Sequence, residues 1–277
     1  MDEDIFELYP DPGRKHRLTG LYLNQSFIPA TDKRPFIYSN FISSLDGRIA
    51  VPGTDRQTHQ VPAAIANNRD WRLFQELAAH ADLIITSARY FRQIRDHEAQ
   101  AELPIGPAAE FDDLRAWRKT QGLASQPDIA IFSASLDIPL TALNQYAGRR
   151  IYLVTGAAVD PEKLAAVKAA LPVQLITCGN RASVDASMLR SQLADLGYRR
   201  IYAIAGPSVL HTLAQGDALD RLYHTTAHCL LGGTTFDTFI HGAQLDPAIC
   251  MPLQAMYLDT RALDGAGQTL AVYGHRE

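Results

Sequence analysis

From Phe36 to Gly206 short β-rich runs alternate with helical patterns, and this rhythm restricts the chain to an α/β architecture built on a mainly parallel sheet. The strand-like runs are "PFIYSNFIS", "DLIITSA", "DIAIFSAS", "RRIYLVTG", "VQLITCGN" and "RRIYAIAG". Between them, "NNRDWRLFQELAAHA", "DPEKLAAVKAAL" and "DASMLRSQLADLG" carry apolar residues at helical spacing, the last ended by Gly197. Each is short enough to be a crossover. Beyond "PSVLHTLAQGDAL" the pattern changes: "DRLYHTTAHCLLGG" and "MYLDTRALDGAGQTLAVYG" read as strands, the second a hairpin turning at Asp264-Gly265. The expected fold is a central, mostly parallel sheet flanked by helices, with antiparallel strands at its C-terminal edge.

With 277 residues and 47% hydrophobic content, the chain is long enough to bury a substantial core. Residues 1–34 lack sustained periodicity and are expected to be an N-terminal extension, with one domain over 35–277. The stretch from about Arg92 to Gln126 reads as an insertion containing one helix. The net charge of -4, with Lys and Arg spread along the chain, argues against nucleic acid or a polybasic membrane patch, leaving a small molecule as the default partner. Cys178, Cys229 and Cys250 form no CxxC pair, as expected for reduced thiols in a cytosolic protein. The acidic start has no apolar signal region, and no run reaches the roughly 18 apolar residues of a membrane span, so a soluble, cytoplasmic protein is expected.

Three loops follow strands at the usual ligand edge of an open α/β sheet. In "FISSLDGRIAVPG" (41–53) a Ser-Leu-Asp-Gly turn interrupts an alternating strand. In "IAGPSVLHTL" a strand runs into Gly206-Pro207-Ser208 and then a helix whose first N–H groups suit a pyrophosphate; an ordinary strand-to-helix turn accounts for the segment equally well. In "LIITSARYFRQ" Ser87 marks the turn, and Arg89 and Arg92 sit where cations oppose the helix dipole unless an anion compensates. Phosphate binding and a solvated arginine both remain open there. His224 and His228, with Cys229 adjacent, have the i, i+4 spacing of zinc ligands on a helix, but the segment alternates like a strand and no metal is expected. Trp71, Phe74 and Leu77 form a stripe expected in the core.

Four segments resemble the C-terminal reductase domain of the riboflavin-biosynthesis deaminase/reductase proteins. "SSLDGRIA" (43–50) is similar to that family's S-L/M-D-G-K/R-I-A, and "ADLIITSARYFR" (81–92) stands in the place of its A-D-A-I-L-V-G-A-G-T-V-R. "IAGPSVL" (204–210) stands in the place of E-G-G-P-T-L, and "LDRLYHTTAHCLLGG" (219–233) is similar to V-D-E-L-x-L-x-x-x-P-x-L-L-G-G. The order of all four agrees, over about residues 35 to 275.

The resemblance implies a dihydrofolate-reductase-like fold and NADPH-dependent reduction of a ribosylaminopyrimidine phosphate, as by 5-amino-6-(5-phosphoribosylamino)uracil reductase, with hydride delivered to C1 of the ring-opened imine. It implies that Asn40, Ser43, Asp46 and Gly47 line the substrate and nicotinamide side, and that Ser87 and Arg89 meet the cofactor's phosphates. Ala205, Gly206, Pro207 and Ser208 would hold the pyrophosphate, with a cis Ala205–Gly206 bond. Ser133 and Ser135 would take the 2′-phosphate, giving a preference for NADPH over NADH. Asp46 is a catalytic candidate, the alternative being that it shapes its own turn. Asp70 resembles in position the substrate-facing acid of dihydrofolate reductases; serving the helix dipole is its other reading. A homodimer is expected.

The departures bear on substrate. The family's G-A-G-T is here Ser87-Ala88-Arg89-Tyr90, its E-G-G-P is Ile204-Ala205-Gly206-Pro207, and its D-x-P-x-L-T is replaced by "QIRDHEAQAELPIG". "DHE" at 96–98 is not the H-x-E of a zinc deaminase, and no P-C-x-x-C follows. A reductase of another pterin-like substrate, a non-catalytic nucleotide-binding regulator and a structural homodimer remain as alternatives.

Overall fold

The computed structural model describes residues 4–27, 34–53, 59–95, 103–146, 148–156, 159–170, 173–179 and 183–274. Its first strands are β1 (Ile5–Tyr9), β2 (Lys15–His16) and β3 (Phe36–Ser44), followed by a small separate pair, β4 (Val51–Pro52) and β5 (His59–Gln60). Then come β6 (Leu83–Ser87), β7 (Asp128–Phe132), β8 (Ile151–Thr155), β9 (Val173–Thr177), β10 (Arg200–Ala203), β11 (Arg221–Ala227), β12 (Leu253–Asp259) and β13 (Gln268–Gly274). The helices are α1 (Asn68–His80), α2 (Ala88–Arg95), α3 (Asp112–Thr120), α4 (Leu140–Leu143), α5 (Pro161–Ala170), α6 (Ala186–Asp195) and α7 (Pro207–Gln215). Residues 96–98, weighed above against a deaminase motif, lie outside the described residues.

Among the described residues eleven strands form one sheet in the order β2-β1-β12-β13-β11-β3-β10-β6-β7-β8-β9. From β11 to β9 every pairing is parallel, whereas β13, β12, β1 and β2 are added antiparallel. The alternation along β3 explains why both faces must be covered. Tyr38 packs with Leu73 and Leu77 of α1, while Ile37 packs with Leu189 and Leu193 of α6 and Leu213 of α7. Burying each such leucine contributes roughly 1.5–3 kcal/mol. The stripe on α1 behaves as expected: Leu77 is buried, and Trp71 and Phe74 stack on each other at 5.0 Å against the same cluster.

Side chains fix both ends of α1. Asn67 caps its start by accepting from the N–H groups of Arg69 (3.1 Å) and Asp70 (2.9 Å). At the other end the buried Arg118 of α3 donates to the carbonyls of Ala79 (3.0 Å) and Ala81 (2.5 Å), taking up orphan acceptors of the last turn. A cation at this position also complements the helix dipole.

The segment before residue 35 adds β1 and β2 to the sheet edge, β1 pairing with β12. It is then tied to α1 through Glu76, whose buried carboxylate accepts from the N–H groups of Gly20 (2.6 Å), Tyr22 (3.0 Å) and Leu23 (3.1 Å) and from Arg72 (3.0 Å). His80 reinforces the tie by bonding the Tyr22 carbonyl at 3.1 Å and stacking on Phe27 at 4.0 Å. Burial pushes the imidazole pKa down to about 4, so His80 is a neutral partner at pH 7.

Candidate active site

The parallel strands deliver four loops to one edge of the sheet: Leu45-Asp46-Gly47 after β3, Ala205-Gly206 after β10, Ser87-Ala88-Arg89 after β6 and Ser133 after β7. Neighbouring strands lie about 4.8 Å apart, so this row extends roughly 14 Å from β3 to β7.

Asp46 occupies the tight turn that Gly47 closes at φ +80°, a conformation that glycine adopts without strain. Its carboxylate accepts from the Ser44 hydroxyl and from the N–H groups of Gly232 (2.8 Å) and Leu231 (3.3 Å), and pairs with Arg48 at 2.9 Å. The Ser44 and Gly232 bonds foremost hold its pKa down at about 2. Asp46 thus joins the turn after β3 to the loop after β11. Farther along the same two segments, Ile49 donates to the Asp237 carbonyl and Asp237 to that of Ala50, both at 2.9 Å, while His59 meets the Asp237 carboxylate at 3.0 Å. The Arg48 guanidinium lies 4.2 Å over the Phe236 ring.

Asn40 and Ser43 sit three residues apart on β3 and therefore point to opposite faces of the sheet. Asn40 accepts a 2.5 Å bond from Tyr202 on the α1 side. Ser43 is buried on the other side, sharing a 2.8 Å hydrogen bond with His224, whose ring lies 5.1 Å from Phe239. His228 is engaged separately, with Thr269 at 2.8 Å and the Ala266 carbonyl at 3.1 Å. The structure does not bring Asn40 and Ser43 together.

On the Asn40 face, Asp70 in the first turn of α1 accepts a 2.6 Å bond from Thr225 of β11. Burial outweighs that bond and raises its pKa to about 6; burial foremost also raises the phenols of Tyr22 and Tyr202, with the Asp70 charge a lesser contributor. Ile204, at the family's glutamate position, is partly buried and packs against the same cluster.

The loops after β6 and β10 lie side by side, Ile204 donating to the Ile85 carbonyl at 2.9 Å. Each opens a helix with no acidic residue in its first turn. Gly206 is the N-cap of α7 without a side-chain bond, Pro207 follows, and Ser208 is exposed. Ala205–Gly206 is not among the cis bonds of the described residues, which are Tyr9–Pro10, Pro104–Ile105 and Asp246–Pro247. This corrects the cis expectation. Gly206 enters α7 in ordinary extended geometry, φ -70° and ψ -179°, which a trans bond serves without the penalty of a non-proline cis form. Arg89 is exposed and has no partner among the described residues, whereas Arg92 donates to the Asp137 carbonyl at 2.7 Å.

Ser133 is 6% exposed, and its hydroxyl has no hydrogen-bond partner among the described residues. Thr155, at the same level of the next strand and 1% exposed, has an equally unpartnered hydroxyl. Two orphaned buried hydroxyls side by side are uncommon and mark a place where a ligand or water completes the bonding. Ser135 is exposed and accepts from the Asp137 N–H at 3.3 Å. Among the described residues no group of three His, Cys, Asp or Glu side chains could hold a metal ion.

The sequence pattern of the RibD C-terminal domain matches residues 35–258. The chain belongs to the RibD C-terminal domain family. A search of curated proteins finds no match. Among solved structures, a pyrimidine reductase-like protein from Corynebacterium diphtheriae superposes with a TM-score of 0.67 at 17% identity, covering 95% of this chain and 100% of that one. Acinetobacter baumannii RibD gives 0.55 at 15% identity over 87% of this chain and 58% of its own, and the riboflavin biosynthesis reductase Rib7 of Saccharomyces cerevisiae gives 0.51 at 14% over 91% and 93%. At these identities the likeness is one of fold.

Within the RibD C-terminal fold, Thr225, Thr155 and Tyr202 are candidate site members that the sequence pattern does not mark. Their strands read as ordinary β-branched and aromatic runs. Only pairing and burial single them out.

Proposed function

We propose that the chain is an NADPH-dependent reductase of a ribosylaminopyrimidine phosphate or a closely related pterin-like compound. The observation that carries this reading is the convergence of two helix N-termini beside the uncommitted Arg89, with the orphaned hydroxyls of Ser133 and Thr155 on the strands beyond. Helix N-termini and a free guanidinium suit a pyrophosphate, and a pair of buried hydroxyls suits further phosphate oxygens. The residues present therefore fit a phosphorylated dinucleotide.

NADPH would supply the hydride. Gly206, Pro207, Ser208, Ser87 and Arg89 would hold its phosphates, and Ser133, Thr155 and Ser135 the 2′-phosphate end. Asp70 would face the substrate on the α1 side, with Asn40 and Tyr202 beside it. An ionised carboxylate there stabilises a cationic imine more than the neutral product, an interaction that favours the transition state. With Ile204 in place of a glutamate, Asp70 becomes the carboxylate source on that face, which keeps a pterin-like substrate open as a second reading. Asp46 and Gly47 would act by fixing the turn rather than by touching the reacting atoms.

The protein is proposed to work in the cytoplasm; among the described residues no helix is long and apolar enough to cross a membrane. A homodimer is proposed through the outer face of β1 and β12, where Leu8 is 43% exposed.

Fluorescence titration with NADPH and NADH, followed by turnover of the ribosylaminopyrimidine phosphate and of a dihydropterin, tests the reading. Tight NADPH binding with reduction of either compound is the expected result. Failure to bind either cofactor would favour a non-catalytic role.

A further inference from the structure

A concave surface of about 570 Å³ lies at the opposite edge of the sheet from β9, bordered by Arg14, Lys15, Arg17, Thr19 and Asn24, with Tyr257 on its wall. β2 is five strands from β3, so the hollow lies roughly 24 Å along the sheet from the Asp46 turn.

Three cations border it in a protein whose net charge is -4. Their local neutralisation is slight. His16, the fourth basic residue of the run, is taken by Glu7 at 2.6 Å. Among the described residues Arg14 has only Asp11 as an ion-pair partner, at 4.0 Å with both side chains about two-thirds exposed, a geometry that contributes little. Lys15 lies 5.4 Å over the Phe6 ring, and among the described residues Arg17 makes no hydrogen bond or ion pair.

The backbone carrying these cations is nonetheless anchored. The loop from Glu7 to Arg14 is closed by Glu7 N–H to the Arg14 carbonyl (2.8 Å) and Gly13 N–H to the Glu7 carbonyl (2.9 Å), and Glu76 grips Gly20 on the other rim. Held cations around a concavity differ from a solvated charge run, because their mutual repulsion is relieved when an anion enters. Thr19 and Asn24 add neutral donors, and Tyr257, edge-on to His16 at 5.5 Å, adds an aromatic wall.

We propose that this hollow is a second ligand site, distinct from the reductase site, that takes a small phosphate-bearing molecule. Guanidinium forks match phosphate oxygens in pairs, and the volume exceeds that of a lone phosphate, leaving room for a nucleotide-sized ligand.

Inorganic pyrophosphate titrated calorimetrically into the full chain is the test. Binding should weaken by about tenfold or more in Arg14→Glu/Arg17→Glu and by about threefold in Arg17→Gln, and persist in Arg89→Ala. NADPH affinity should be the same in all Arg14 and Arg17 variants as in the parent chain. All replaced side chains are exposed, and unchanged thermal unfolding would show that the fold survives. Pyrophosphate binding that ignores both Arg14 and Arg17, or that vanishes with Arg89→Ala, overturns the proposal. So does binding confined to anionic phospholipid vesicles or to RNA, with none to pyrophosphate.

Discussion

Asp70 and Thr225 meet across the junction of α1 and β11, the threonine hydroxyl donating a 2.6 Å hydrogen bond to a carboxylate that burial has lifted to a pKa of about 6. The pair joins the first turn of a helix to the strand beside β3, and its titration falls close to physiological pH. If this carboxylate opposes a cationic imine, turnover should rise as pH passes through about 6. Asp70→Asn should remove that limb and lower turnover by about 10²-fold, measured as a pH–rate profile. The stability effect has a definite sign. A raised folded-state pKa adds stability below the unfolded value of 3.8, and this is lost as pH climbs through 6. Asp70→Asn should therefore gain roughly 2–3 kcal/mol relative to the parent between pH 4 and pH 8 in denaturant unfolding.

Asp46→Asn should loosen the junction between the two loops it ties. Hydrogen exchange across residues 229–237 is expected to quicken while NADPH affinity stays normal. Because the Asp46 pKa is depressed to about 2, its stabilisation is complete above 3.8 and fades as pH falls through 2. Unchanged exchange combined with slow turnover would return the residue to a catalytic role.

Thr155→Val removes an orphaned buried hydroxyl without changing shape. Stability should hold or improve by up to about 1 kcal/mol, whereas NADPH binding should weaken. Loss of stability with unaltered binding would take Thr155 out of the cofactor site. Ser133→Ala is expected to behave in the same way.

Arg89→Ala should weaken NADPH by about 1–3 kcal/mol and spare NADH if the guanidinium reads the 2′-phosphate. Equal losses for both cofactors would assign Arg89 to the pyrophosphate.

Acid should act on the N-terminal segment through His80. A pKa lowered from 6.5 to about 4 gives stability that is present above 6.5 and is withdrawn as pH falls toward 4. Limited proteolysis between pH 7 and 4.5 should show cleavage within residues 17–27 emerging on the acid side. A His80→Gln variant would lose most of that pH dependence.

The alternation from β3 to β10 and the hairpin at Asp264-Gly265 were legible because period-2 runs and helical stripes are local signals. The loops at the strand ends were legible too, since glycine, proline and serine mark turns. β1 and β2 were not: a five-residue and a two-residue strand carry too little pattern, and β1 is specified by pairing with β12, about 250 residues away. The same holds for the site. Ser133 could be read from its strand end, but Thr155 becomes informative only once its hydroxyl is found without a partner. Asn40 and Ser43 look alike as polar residues in a strand, and only the pleat separates them. The Ala205–Gly206 peptide shows the converse limit, since a family habit carried across a changed dipeptide did not hold.

The three N–H groups that converge on Glu76 come from residues 20, 22 and 23, upstream of the boundary that family likeness draws at residue 35. That boundary is a unit of ancestry, not a seam in the solid. Gene fusion or domain shuffling that moved residues 35–258 alone would leave behind the donors that make a carboxylate tolerable inside the protein. An architecture that borrowed residues 35–258 without their preface would keep Arg72 beside Glu76 but would have to supply other donors in place of the three N–H groups, or replace the carboxylate.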